Sequence, residues 1–261
     1  MRARIAAAVL ILFPLASLAA TEADRRAAQE HYRKGSEYGR ELMKAGMFSA
    51  MSLATKMKEE FLRALELDPD FIPARLSLVE YYTQAPAFAG GSKDKAMEQA
   101  AEIAKRDAVE GHRTLARIYG LEEKHDLAVK EMTEAVRAHP KSAKAHYYLG
   151  NAYLNQKDWK SALQAYEATL ALDPSHMPAY LRIGNHAARS ESNYARGEEA
   201  LRKYLAYKPA DGEPGHAPAW FWLGMIQEKQ GRKAEARESY LNAQKLLPEM
   251  KELPEALKRV S

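Results

Sequence analysis

The sequence predicts an all-α fold, a solenoid of antiparallel helix pairs in five to six repeats. The first observation is periodicity. Leu149 and Gly150, followed by Tyr153, Ala162, Tyr166 and Pro174, have counterparts 34 residues earlier in Leu115, Ala116, Tyr119, Ala128, Met132 and Pro140, and a fixed period of this length marks stacked helical hairpins. The second is punctuation. Pro69, Pro140, Pro174 and Pro248 close successive segments, because proline pushes the residue before it out of helical geometry. The third is small residues at equivalent places, Ala116, Gly150, Gly184 and Gly224, where paired helices are expected to approach closely.

Taken in order, the chain opens with Arg2 and Arg4, an apolar run from Ile5 to Leu18, and the small residues Ser17, Ala19 and Ala20. This is the layout of a cleaved secretory signal over residues 1–20. The run is shorter than the roughly 20 residues needed to span a bilayer, and Pro14 interrupts it. Residues 21–37, rich in Ala, Arg and Glu, read as an N-terminal helix. The repeat array follows over 38–250, with units near 38–71, 72–108, 109–142, 143–176, 177–216 and 217–250.

The first unit ends on Phe61, Ala64 and Pro69 but has Lys44 and Ala45 where the Leu-Gly pair belongs. The second starts with Leu78 and Tyr82 and resumes at Ala96, Ala100 and Ile103 after an inserted loop. In the fifth, Tyr180, Ile183 and Gly184 are in register, while Ala200 and Tyr204 come late. The last unit carries Trp220, Leu223, Gly224, Ala236, Tyr240, Ala243 and Pro248, with Gln227 in the place of the first-helix tyrosine. Residues 251–261 form a tail or a partial cap.

Within each first helix the signature occupies one face: His146, Leu149, Gly150 and Tyr153 are three, four and seven positions apart. Asn151, beside that face, is read as solvent-facing, so its truncation is expected to cost only about half a kcal/mol.

At these residues the chain resembles the tetratricopeptide repeat (TPR) family over 38–250, and in particular exported bacterial members. The resemblance implies a right-handed superhelical solenoid and, for function, a scaffold, adaptor or peptide receptor rather than an enzyme. It also implies that residues five, nine and thirteen of each first helix line a concave groove. Those positions bear Arg113 and Arg117, then Tyr147, Asn151 and Asn155, then Asn185 and Arg189, then Phe221 and Met225.

Arg117, Asn151 and Asn185 are 34 apart. Asn can donate to and accept from a peptide backbone, and Arg can fork onto a carboxylate, so an extended, partly acidic peptide is one reading of the ladder; ordinary solvated polar positions are the other. The family's arrangement for gripping a C-terminal carboxylate wants Lys and Asn, then Asn, then Lys with Arg. Here Arg113 and Arg117, Tyr148, and Pro178 with Arg182 stand in those places.

Composition narrows the function classes. Loss of Arg2 and Arg4 with the leader takes the net charge of +4 to about +2, too even a balance for a nucleic-acid footprint. There are no cysteines, hence no disulfides, no thiol chemistry and no lipid-modified Cys after the leader. The eight histidines have no pair three or four apart, so no local metal box is expected. His112 and His146 fall at equivalent repeat positions. Gly90-Gly91-Ser92 lacks the Gly-Lys-Ser/Thr of a phosphate loop; Ser92 reads instead as the cap of a helix from Lys93, with Asp94 in its first turn. No cofactor and no catalysis are expected.

Two connections, Gln84 to Ser92 and Lys208 to Pro218, are longer than the repeat requires. They read either as specificity loops or as tolerated surface excursions.

The sequence thus predicts an exported, periplasmic, non-catalytic interaction module with a protein or peptide partner and no stable membrane insertion after processing. The alternative is an accessory subunit of a transport or envelope-assembly complex, docking by its inserted loops or convex face. A third reading, an enzyme with a site in an inserted loop, ranks last. Processing after Ala19 or Ala20 should leave Ala20 or Thr21 as the mature N-terminus in the soluble periplasmic fraction. N-terminal sequencing checks this, and full-length chain resisting salt and carbonate washes in the membrane pellet would refute it.

Overall fold

Helix starts and stops in this chain are written in its capping residues. The computed structural model describes residues 19–210 and 212–261; the apolar run Ile5–Leu18 lies outside them. Among the described residues there are thirteen α-helices, one 3-10 turn and no strand.

The chain divides after Gly91 into two compact units. The first holds α1 (Glu22–Leu42), α2 (Met47–Leu67), α3 (Ile72–Gln84) and the 3-10 turn Ala87–Ala89. The second holds α4 (Lys93–Ala104), α5 (Ala108–Leu121), α6 (His125–Ala138), α7 (Ala143–Gln156), α8 (Trp159–Leu172), α9 (Met177–Ser190) and α10 (Tyr194–Leu205). It continues with α11 (His216–Lys229), α12 (Lys233–Leu246) and α13 (Leu253–Arg259).

Thr21 and Asp24 cap the start of α1 reciprocally, each side chain bonding the other's backbone N–H. Ser92, Asp107, Ser142 and Asp158 accept from the N–H three residues on, at the starts of α4, α5, α7 and α8, so orphan donors at these helix ends are satisfied. The stops are equally uniform. Asp68, His139, Asp173 and Leu247 each precede a proline, and each leaves helical geometry with φ between −145° and −130°.

Hairpin turns repeat too. Glu123, Lys157, Glu191 and Gly231 sit at the first-to-second helix turn with φ of 58°, 65°, 54° and 77°. In three of these turns an amide reaches back five residues, from Lys124 to Tyr119, Asp158 to Tyr153 and Arg232 to Gln227, closing the helix with a left-handed residue.

Paired helices meet where one of them has no side chain. A methyl on Gly150 would lie 2.5 Å from the Tyr166 ring, and one on Gly224 2.6 Å from the Tyr240 ring; Gly184 meets Leu201 in the same way. Tyr166, Tyr204 and Tyr240 are completely buried. A continuous apolar core runs from Leu154 through Tyr166, Ile183 and Leu201 to Ile226, and Leu253, Ala256 and Val260 of α13 cover the end of the last hairpin against Tyr240 and Ala243. Gln227, the departure from the first-helix tyrosine, is buried and accepts a 2.7 Å hydrogen bond from the Ser239 hydroxyl.

At the start of the chain the structure differs from the sequence-based expectation. Residues 21–37 are not a separate leading helix: α1 runs unbroken to Leu42 and pairs with α2. The close-approach residue is Gly35, 2.6 Å from the Phe61 ring for an added methyl, which is why Lys44 and Ala45 need not supply it. With the longer first helix the close approach falls at Gly35, ten residues upstream of Ala45, the place the repeat spacing indicates.

No helix among the described residues is long and apolar enough to cross a membrane. The packing argument yields a pair of opposite expectations. Gly150→Leu overpacks the Tyr166 contact and should cost about 1–3 kcal/mol or more. Gly120→Ala adds a methyl in open space within α5 and should stabilise by about 0.5–1 kcal/mol. Urea denaturation of both variants checks the assignment of buried and open faces.

Candidate functional site

The first helices α5, α7, α9 and α11 of the second unit carry the groove residues, and the structure sorts them into distinct groups. Arg113, Arg117, Asn151 and Asn155 line one cavity of about 620 Å³, together with Tyr148 and Arg182. Tyr147 lies instead in an adjacent cavity of about 530 Å³ that shares Tyr148 and Arg182 with the first. Arg189 is exposed. Phe221 stacks 5.7 Å from the Tyr240 ring, and Met225 packs on the apolar core, so both serve the fold.

Two members of the ladder do not present an open amide. The Tyr166 hydroxyl donates to Asn151 Oδ1 at 2.9 Å, so Asn151 is tied to the core, and truncating it strands a phenol. The expected cost rises from about half a kcal/mol to about 1–3 kcal/mol. Asn185 is 4% exposed and its Oδ1 has no hydrogen-bond partner among the described residues. The reason is local. Thirty-four residues beyond Tyr166 stands Ala200, so Asn185 lacks the phenol that Asn151 meets.

Positive charge is concentrated and partly balanced. Arg113 is held by Glu110, with Nε 2.6 Å from Oε1, and its guanidinium lies over the Tyr148 ring at 5.2 Å from the centroid. Lys144 reaches Asp107 at 2.9 Å and Glu110 at 3.0 Å. Burial disfavours the Lys144 charge, but these two carboxylates hold its pKa above the ordinary value.

Arg182 is different. Burial opposes its charge, while the Tyr147 and Tyr166 oxygens favour it and keep it firmly protonated. No carboxylate of the described residues forms an ion pair with it. An enclosed guanidinium facing the cavity of about 620 Å³, whose lining has no carboxylate, is the strongest anion-seeking feature of the site.

Arg182 and Tyr148 fall outside the stripe of fifth, ninth and thirteenth positions, yet a sequence signal existed for them. Tyr148, Arg182 and Trp222 all occupy the sixth position of their units, with 34 residues between the first two. The groove floor is therefore two positions wide. Among the described residues no group of three His, Asp or Glu side chains stands together to hold a metal ion.

Stacked, proline-punctuated hairpins with a polar groove along their first helices define a helical-repeat scaffold. The tetratricopeptide repeat family matches residues 113–176 and 181–250, about half of the chain, and the protein belongs to that family. Small glutamine-rich tetratricopeptide repeat-containing protein 2 of Saccharomyces cerevisiae is 27% identical over 127 residues, 48% of this chain and 33% of that protein. The chain spans 12% to 33% of the length of such curated relatives.

Among solved structures, Pseudomonas aeruginosa PilF superposes with a TM-score of 0.56 at 15% identity, over 90% of this chain and 98% of that one. PilW, a widely conserved type IV pilus biogenesis factor, gives 0.60 at 17%, over 88% and 98%. At these identities the likeness establishes the fold.

Two histidines of α9 are held neutral by geometry. His186, 2% exposed, donates from Nε2 to the Trp159 carbonyl at 2.7 Å and leaves Nδ1 buried without a partner among the described residues. His176 accepts from the Ala179 amide through Nδ1 at the helix start. Burial lowers the pKa of both. A lowered folded-state pKa means that stability is complete above the ordinary histidine value of 6.5 and is lost as pH falls through the depressed one. The melting temperature should drop between pH 7 and pH 5, and His186→Gln, which keeps a donor but cannot titrate there, should flatten that dependence in a thermal scan.

Proposed function

We propose that the protein is a non-catalytic adaptor that holds an extended, acidic peptide segment of a partner protein in the groove of its second unit. The observation that carries this is the convergence of Arg113, Arg117 and Arg182 on one cavity, with Arg182 lacking a carboxylate among the described residues. Asn155, exposed on the same wall, supplies donor and acceptor capacity for the peptide backbone. Asn151 supports the wall through Tyr166, and Asn185, Arg189, Phe221 and Met225 complete or brace the same face. The leader-like residues 1–20 support a periplasmic, Gram-negative location for the working protein. The fold shared with PilF and PilW is in keeping with an assembly role there.

A second reading has its own observation. In the first unit Met43 and Phe88 are 88% and 83% exposed around an apolar cavity of about 640 Å³, a surface suited to docking into a larger envelope complex.

Calorimetry with a blocked, Glu-rich decapeptide tests the groove. Arg182→Gln and Arg117→Ala should each lose about 1.5–3 kcal/mol, the worth of a charge-assisted contact. Added salt should weaken binding to the wild type more than to either variant. Unchanged affinity in both variants would assign binding elsewhere, with the Phe88 surface first in line.

A further inference from the structure

The cavity beside the arginine cluster has a different chemistry. Tyr147, Tyr148, His176 and Trp222 bring four aromatic rings to it, and Pro178 and Pro214 add flat apolar surface. Three of the rings are already in contact, Tyr147 lying 4.6 Å from His176 and 5.5 Å from Tyr148 between centroids.

Its outer wall is formed by Gly212, Glu213 and Pro214, between α10 and α11, and that wall is fastened. The Tyr204 hydroxyl donates to the Pro214 carbonyl. The Tyr207 hydroxyl and the Ala210 amide both donate to Glu213 Oε2 at 2.9 Å, and His216 Nε2 donates to the Tyr207 carbonyl at 2.7 Å. An insertion held by four hydrogen bonds is a constructed wall rather than a loose excursion.

Charge decides which guest this wall admits. Glu213 lines the cavity with Lys144 and Arg182, but its carboxylate is engaged by the Tyr207 hydroxyl and the Ala210 amide and Lys144 is paired with Asp107 and Glu110, so the wall suits an uncharged guest. Ring faces and edges together favour an aromatic guest over an aliphatic one, and the nearby guanidinium adds attraction to its face. Because Arg182 and Tyr148 belong to both cavities, a carboxylate at the arginine cluster and a side chain in the aromatic cavity come from neighbouring residues, within about two positions at ~3.5 Å per extended residue.

We propose that this cavity is a side-chain pocket for an aromatic residue adjacent to an acidic one, so that the protein reads an acidic-aromatic motif in its partner. The proposal rests on the acidic-peptide reading of the groove and adds a specificity element to it.

The test uses three blocked hexapeptides, Gly-Ser-Glu-Phe-Ser-Gly and its Phe-to-Ala and Glu-to-Gln forms, titrated into the protein by calorimetry. The Phe peptide should bind about tenfold more tightly than the Ala peptide, the worth of one buried ring contact. Trp222→Ala should bring that ratio close to one while the Glu dependence persists. Tyr207→Phe, which removes one of the two hydrogen bonds that hold Glu213 without altering a ring of the pocket, should shrink the ratio in a chain whose core is untouched. Equal affinity for the Phe and Ala peptides, undetectable binding of both included, overturns the pocket, as does a preference that survives Trp222→Ala. Loss of the Glu dependence with the Phe preference intact overturns the acidic groove instead and leaves the pocket standing.

Discussion

The spacing of the helix pairs α1/α2, α7/α8 and α11/α12 is fixed by a residue without a side chain meeting a ring. Gly150 against Tyr166 and Gly224 against Tyr240 bring backbones together so closely that a single methyl has no room, and interiors packed to this density do not relax to accept one. The ring does more than fill space. Tyrosine buries its apolar body and delivers a hydroxyl at the far end, and in three successive hairpins that hydroxyl has three destinations. Tyr166 donates to Asn151 on the groove wall, Tyr204 to the Pro214 carbonyl of the inserted connection, and Tyr240 to Glu228. Glu228 in turn pairs with Arg259 of the terminal helix. Groove, insertion and cap are thereby positioned from the core outward by one repeated side chain.

The groove's charge follows a comparable division of labour. Glu110 spends its carboxylate on Arg113 and Lys144, which fixes two cations in place on the wall. Such pairs on a half-exposed face contribute modestly to stability; their value is orientation. Arg182 has tyrosine oxygens in place of a carboxylate, an arrangement that keeps a fixed donor fork available to an incoming anion.

Much of the architecture was legible because it depends on residue types with local effects. Proline stops, Ser and Asp caps and small close-approach residues act through their own backbone, and Ser92 capping α4 shows how far such signals reach. The groove was legible only in part. Arg113, Arg117 and Asn155 fall where helix periodicity places them, whereas the fates of Asn151 and Asn185 hinge on whether a phenol stands across the hairpin, a contact between helices. Arg182 and Trp222 escaped a single-stripe reading because a groove floor is wider than one row of side chains. The first hairpin was misjudged because α1, at 21 residues, is longer than the 14-residue first helices of the later units, so Gly35 lies outside the register that the other units keep.

The turns between paired helices carry a further meaning. Glu123, Lys157 and Glu191 adopt a left-handed backbone that glycine takes freely, and only the last hairpin, at Gly231, uses glycine; each of the other three holds about 1 kcal/mol of conformational strain. In a linear array stability is a sum of local and nearest-neighbour contributions, so strain in one hairpin is borne there and by its neighbours. The hairpins α5–α6, α7–α8 and α9–α10 thus each carry a strained turn that the α11–α12 hairpin is spared.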